Sequence, residues 1–294
     1  MPSLPAAARR SSREPLVGAL STRFGRQPHL SGAKSNQVAL IYDNHSPYYM
    51  FQIQTGCWDF CRQNGIRLLA QPVDVAVADP QVGEQVRRLI SETHVDGIIL
   101  SSPVTDCDPV LRALEAMDIP FVRIAPGTNH ALTSSVFMDD AQAADDMTTH
   151  LINVGHRRIG FIKGHSNRMA SDDRLFGYRR ALDRAGIAYD PVLVCQGEFD
   201  FDSGVRSAGL LLDLPQPPSA IFASNDDMAA GVLAVAHDRR IPVPARLSVA
   251  GFDDTTLART AAEILIAGGD IAHRRLPHTL IERTSVAPPA RTTQ

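Results

Sequence analysis

At 294 residues the chain is long enough to bury two α/β cores, and 44% hydrophobic with 21% charged residues is an ordinary globular composition. No apolar run approaches the length of a bilayer, and Met1 to Gly25 is interrupted too often by Pro, Ser and Arg to serve as a secretory core. Cys57, Cys61, Cys107 and Cys195 lack a CxxC spacing, so the expected setting is a reducing cytoplasm, with no membrane partner. Net charge is −3, but residues 1–35 carry six basic side chains and one acidic one, a net of +5, which leaves −8 on the remainder. A basic tail reads as a nucleic-acid arm or as a solvated, disordered segment. The Pro, Ser and Ala content and the lack of helical period favour the second.

Regular patterning begins at Asn36. Residues 38–42 (VALIY) predict a strand, and Tyr48 to Asn64 a helix stopped by Gly65. The spacing of Cys57 and Cys61 places both on one face of that helix as small apolar residues. Strands follow at 66–70, 95–100, 120–124 and 135–138, with helices at 80–93, 108–117 and 141–154, the last ended by Gly155. The second half repeats the scheme, with strands at 158–162, 191–195, 220–223 and 247–250 and helices at 175–185, 204–212 and 228–238. Such βα alternation predicts a parallel sheet with helices on both faces, and two runs of it predict two doubly wound, Rossmann-like units joined near Gly155 to Arg158. The rhythm breaks after Arg259. Residues 260–267 (TAAEILIA) form a helix with no strand before it, and 278–286 (HTLIERTSV) read as a last strand.

Two segments carry most of the functional signal: AIFASNDDMAA at 220–230 and LSVAGFDDT at 247–255. Each is an apolar strand ending abruptly in amides or carboxylates, which places Asn225 with Asp226, and Asp253 with Asp254, at strand carboxyl ends, where open α/β sheets bind ligands. Adjacent carboxylates on a strand point to opposite sides, so neither Asp139–Asp140 nor Asp253–Asp254 makes an acid/base dyad. One member faces the cleft while the other caps the next helix. Dinucleotide, P-loop, HExxH and GxSxG motifs are absent, and the ten histidines lack metal-ligand spacing; no cofactor, metal or catalytic residue is expected. Arg174 reads as the start of a helix, where a cation opposes the macrodipole. A salt bridge to Asp172 or Asp173 accounts for it as well as a guanidinium fork aimed at a ligand. Phe199 and Phe201 lie in an acidic loop, as a ring face for a sugar or as packing beneath the loop. Tyr48 and Tyr49 follow the first strand, where helix-core packing explains at least one of them.

In this order, SGAKSNQVALIYDN, VDGIILSSP, LINVGHRRIGFIKG, DRLFGYRRAL, IFASNDDMAAG and LSVAGFDDTTLAR resemble the effector-binding core of LacI/GalR-family transcriptional regulators over about residues 31–260. The resemblance implies a periplasmic-binding-protein-like fold, with an interdomain ligand cleft. It divides the chain into a basic tail or hinge remnant (1–35), an N-terminal sensor subdomain (36–156 with 260–272), a C-terminal one (157–259 with 276–288) and a tail (289–294). It implies ligand contacts from Arg174, Asn225 and Asp253, stacking by Phe199, and contacts from Tyr48 and the Ser101–Ser102 turn in the first subdomain. The implied partners are a small-molecule effector, a sugar or similar polyol, together with operator DNA and a second copy of the chain. Two departures stand out. Residues 1–30 show no helix-turn-helix pattern, and no PPLTT-like strand follows the FDDTTLAR segment, which is expected to leave a sheet edge and part of an interface uncovered.

The reading that follows is an effector-sensing transcriptional regulator, with specific DNA readout by this chain unsupported for want of a groove-reading element. The alternatives are a cytoplasmic sugar-binding protein without DNA output and, less favoured, an α/β enzyme.

Overall fold

A computed structural model describes residues 35–44, 46–75, 80–253 and 257–290. The basic segment 1–34, the side of the Asp253–Asp254 pair occupied by Asp254, and the final four residues lie outside them. The first lobe holds β1 (Gln37–Tyr42), α1 (Pro47–Gln63), β2 (Arg67–Pro72), α2 (Pro80–Thr93), β3 (Gly97–Leu100), α3 (Asp108–Ala116), β4 (Phe121–Ile124) and β5 (Ser135–Phe137). The second holds α4 (Asp140–Val154), β6 (Ile159–Lys163), α5 (Met169–Arg184), β7 (Val194–Gln196), α6 (Phe201–Leu212), β8 (Ala220–Ala223), α7 (Asp226–Asp238) and β9 (Ser248–Ala250). The chain then returns to the first lobe through α8 (Leu257–Ala267) and β10 (His273–Arg275). Six strands in the order β10-β5-β4-β3-β1-β2 form one sheet, and four in the order β7-β6-β8-β9 form the other. Every pairing is parallel.

The double winding follows from strand periodicity. Successive β1 residues point to opposite faces. Val38 and Leu40 pack with α1 and α8, while Ala39 and Ile41 pack with α2 and α3. The second sheet is sandwiched likewise between α4/α5 and α6/α7. Cys57 and Cys61 are buried on the sheet side of α1, and burial pushes the Cys61 thiol up to about 11 and the Cys57 thiol higher, so both behave as inert apolar residues. At the α4–α5 crossing Gly177 lies so close to Ala141 that a Cβ would overlap its carbonyl oxygen.

Because α4 packs with Phe161 and Tyr178 in the second core, the chain leaves the first lobe around Met138, ahead of the junction expected at Gly155 to Arg158. Three other expectations are corrected. Helix α5 begins at Met169, not Leu175, which moves Arg174 into its second turn. Residues 191–193 form a 3₁₀ turn, with the strand at Val194–Gln196. Residues 278–286 are not a strand; the late strand is β10, beside β5. The reason is geometric, since this stretch must carry the chain from the β10 edge of one sheet to the β9 edge of the other. It is fixed at its ends, by His278 Nε2 to Asp146 (2.7 Å) and by Val249 N–H donating to Ser285 O (2.9 Å), with Ala287 N–H donating to Ser248 Oγ (3.0 Å). The edge of β9 is thus spanned by a strap in place of a paired strand. Among the described residues no helix is long and apolar enough to cross a membrane.

Candidate functional site

Among the described residues, the chain crosses between the lobes at Met138 and Asp140, at Phe252, Asp253 and Leu257, and at Leu276 and Pro277, and all of these line one cleft. Its other walls come from strand carboxyl ends. Asn44 and Ser46 follow β1, Ser102 follows β3, Phe199 follows β7, Asn225 follows β8, and Phe252 and Asp253 follow β9. Topology therefore delivers Ser102, Arg174, Phe199, Asn225 and Asp253 to one place, though they span more than 150 positions of sequence.

Arg174 is held from three sides. Its Nε donates to Asp140 Oδ1 at 2.8 Å and Nη2 lies 2.7 Å from the same oxygen, while Nη1 donates to Ser224 O. The guanidinium carbon sits 3.7 Å from the Phe252 ring centroid and 5.6 Å from that of Phe199. The partner is thus Asp140 at the start of α4, not Asp172 or Asp173; Asp172 is taken by Lys163 Nζ at 2.9 Å. A planar cation stacked on a ring and locked by a carboxylate loses little freedom when it donates to a ligand.

Asn225 serves the wall as well as the cleft. Its Oδ1 accepts from Met228 N–H (2.9 Å), capping α7, and its Nδ2 donates one hydrogen to Phe199 O (2.9 Å), leaving the second without a partner among the described residues. That bond holds Phe199 in a left-handed backbone conformation (φ 63°), which lays its ring against Gly164. Burial pushes the Asp253 carboxyl up to about 7; Arg174 opposes the shift and the Asp226 and Asp227 charges add to it.

Three candidate residues lie away from the cleft. Tyr48 points outward, 44% exposed, its hydroxyl accepting from Gln52 Nε2, and Tyr49 lines the cleft instead. The cause is helical phase. Ser46 caps α1, and one residue of register turns the side chain by about 100°. The Tyr49 phenol is pushed up to about 12, by burial first and by the Asp253 charge next. Ser101 is fully buried behind Ser102, its N–H still donating to Ile41 O within the sheet (3.1 Å). Phe201 opens α6, 46% exposed, away from the cleft.

Sequence reasoning missed Arg168. It precedes α5 and reaches across the cleft, Nη2 donating to Asp43 O (2.8 Å) and Nη1 to Ser102 O. Its buried Nε has no partner among the described residues, and Arg168 itself lines the cleft. A cation at a helix start marks Arg174 in the sequence, and with the helix beginning at Met169 that place belongs to Arg168. A second bond across the cleft runs from Ser46 Oγ to Asp227 Oδ2 (2.6 Å). With both in place the enclosed space is about 100 Å³, below the several hundred usual for ligand clefts.

Residues 148–284 match the family model of a periplasmic binding protein-like domain. The chain is 30% identical over 235 residues to the HTH-type transcriptional regulator DegA of Bacillus subtilis, covering 79% of this chain and 68% of DegA. It is 42% identical over 171 residues to the HTH-type transcriptional repressor CytR of Escherichia coli, covering 58% of this chain and 50% of CytR. Among solved structures it is similar to a complex of the transcriptional regulator CelR with cellobiose (TM-score 0.75, 28% identity, 86% of this chain and 85% of that one). It is also similar to a LacI-family regulatory protein from Chloroflexus aggregans (TM-score 0.72, 25% identity, 86% and 99%). These relatives are regulators, not enzymes, and this chain spans only half to two thirds of the length of the curated ones. Two parallel sheets, a cleft at their carboxyl ends and identity to DegA over most of both chains lead to one conclusion: the chain belongs to the LacI family of transcriptional regulators.

Proposed function

We propose that the cleft binds a neutral, hydroxylated small molecule, a sugar or similar polyol, and that the chain is the effector-sensing part of a cytoplasmic transcriptional regulator. The observation that carries this reading is Arg174, stacked on Phe252 and locked to Asp140, beside the Asp253 carboxyl and the free hydrogen of Asn225 Nδ2. A guanidinium and a carboxylate together grip vicinal hydroxyls, and the Phe199 and Phe252 rings cover a sugar's C–H face. The CelR relative, bound to cellobiose, supports the same ligand class.

The subdomain boundaries are part of this proposal: the two lobes are the moving units, and the passages that line the cleft are the hinges. Entry parts the Ser46–Asp227 and Arg168 bonds, and the ligand replaces them, so that occupancy sets the equilibrium between open and closed forms. Calorimetry with cellobiose and a panel of neutral mono- and disaccharides tests the reading. Arg174→Ala is expected to cost about 1.5–3 kcal/mol of affinity, the range for hydrogen bonds to a charged group. Unchanged affinity in this variant removes Arg174 from the site.

The chain works as a homodimer in this reading. Tyr48, Phe51 and Trp58 stand 44%, 64% and 53% exposed along α1, a stripe of large rings at helical spacing that solvent does not favour. Sedimentation velocity on Phe51→Ser should show a weaker dimer than wild type; equal association would place the interface elsewhere.

A further inference from the structure

The lobes also touch outside the effector cleft. Gly127, in the turn after β4, meets Met169, the first residue of α5. A Cβ at position 127 would lie 2.1 Å from Met169 Cγ and 2.4 Å from Met169 Cβ, well inside van der Waals contact. Met169 Cβ is fixed to the helix backbone, so it moves only if the start of α5 moves. Neither Gly127 nor Met169 is among the residues lining the cleft.

Both sides of this contact are held firmly. The buried Arg123 side chain donates through Nη1 to Asn129 O (2.8 Å) and through Nη2 to Thr128 O (2.7 Å), and Nη2 also pairs with Asp106 Oδ1 (2.7 Å). Asp106 in turn accepts Gly127 N–H (2.8 Å) and the Thr128 hydroxyl (3.0 Å). A buried guanidinium that gave up these partners would be left unpaired away from water, so the turn does not yield. Across the gap, Arg168, next to Met169, is bonded to Asp43 O and Ser102 O of the first lobe, and Ser171 Oγ donates to Gly164 O (3.0 Å), which fixes the start of α5. The close approach is what requires glycine at 127. Its φ lies outside the left-handed region, so an alanine there carries no backbone strain and presents a methyl group to Met169.

We propose that Gly127 sets how far the lobes close, and that the affinity of the cleft is controlled through this contact outside it. The inference rests on the proposed binding of a hydroxylated ligand by closure of the lobes. A methyl group at 127 is a wedge one residue from the Arg168 latch. It holds Met169 off the turn and draws Arg168 away from Asp43 O and Ser102 O. The closed form loses stability relative to the open one, and a ligand that needs the closed form binds more weakly by the same factor. The latches hold the lobes together, and Gly127 decides where they stop.

Small-angle X-ray scattering on the ligand-free full chain, with calorimetry using cellobiose and the same neutral sugars, tests this. Gly127→Ala should show a larger radius of gyration than wild type and bind its sugar about ten- to a hundredfold more weakly, the fold-change that overpacking a close contact produces. Met169→Gly removes the atoms that the wedge strikes, so the double variant should match Met169→Gly alone in both measurements. A turn that was merely destabilised would not be rescued in this way. Should Gly127→Ala not fold, Met169→Ile branches the Cβ facing Gly127 from an exposed position and should open the lobes in the same direction. Scattering equal to wild type in the folded wedge variants overturns the proposal, and so does a defect that Met169→Gly leaves in place. If no sugar of the panel binds wild type, the effector class falls, while the scattering of the wedge and rescued variants still decides the role of Gly127.

Discussion

Asp253 illustrates how a single residue is set by its surroundings. Its carboxyl is raised to about 7, with burial the largest cause, so it is largely protonated below neutrality and ionised above it. A ligand hydroxyl donating to it favours the ionised form. Effector binding should therefore tighten as pH rises through about 7 and release a proton below that. Calorimetry in two buffers of different ionisation enthalpy measures the release, and Asp253→Asn should abolish it. The same shift bears on folding. A carboxyl whose pKa is higher folded than unfolded contributes stability that is present below its unfolded value and lost as pH rises toward 7. Urea titrations of Asp253→Asn should accordingly gain on wild type between pH 5 and pH 8. A flat difference would mean that Asp253 is solvated in the folded chain. Arg168 and Arg174 act as a pair at this scale, one spanning the lobes and the other fixed within one of them.

Among the elements, the strap depends most on one side chain. His156 is buried, Nδ1 2.8 Å from Ser219 Oγ and Nε2 2.9 Å from Ala287 O. A carbonyl only accepts, so Nε2 carries the hydrogen and Nδ1 accepts from the serine. This neutral tautomer fastens the strap's end to the start of β9 through Ser248, which also lies 3.0 Å from the ring. Burial lowers the His156 pKa, so the folded chain resists its protonation. Its contribution to stability is present above the unfolded value of about 6.5 and is lost as pH falls through it. His156→Ala should cost about 1–3 kcal/mol at pH 8, the penalty for leaving buried polar groups unpaired, and less at pH 5.5. Hydrogen exchange should quicken at residues 279–287 before the rest of the second lobe; uniform quickening would show that His156 supports the lobe as a whole.

For the whole molecule, the decisive property is that the chain passes between its lobes three times and each passage lines the cleft. In the proposed function a ligand there would touch every passage at once, which suits a sensor whose output is a change of lobe geometry. The DNA side of that output is a proposal resting on the family. The +5 segment at residues 1–35 lies almost wholly outside the described residues, and arms of this composition contact phosphates without reading sequence. A competition shift assay at physiological salt, with candidate operator and scrambled duplexes, should show weak, salt-sensitive binding without preference. A preference of about a thousandfold, the low end for specific readers, would overturn that expectation and assign residues 1–35 a reading role.

The sequence by itself determined the alternation of strands and helices, the parallel sheets, and the position of Asn225 and Asp253 at strand carboxyl ends; Ser102, Arg174 and Phe199 were indicated for the same cleft only by the family resemblance. The first three are local or topological matters. Apolar runs ending in polar residues mark strand ends, and a parallel sheet brings those ends together. Helical phase and long-range pairing were decided only in three dimensions. Tyr49 rather than Tyr48 faces the cleft because Ser46, by capping α1, fixes the rotation of the helix. Asp140, remote in sequence, takes Arg174 because α4 and α5 pack side by side. Residues 278–286 have the alternation of a strand yet form a strap. A strand needs a partner along its length, and these residues must span the distance from one sheet to the other.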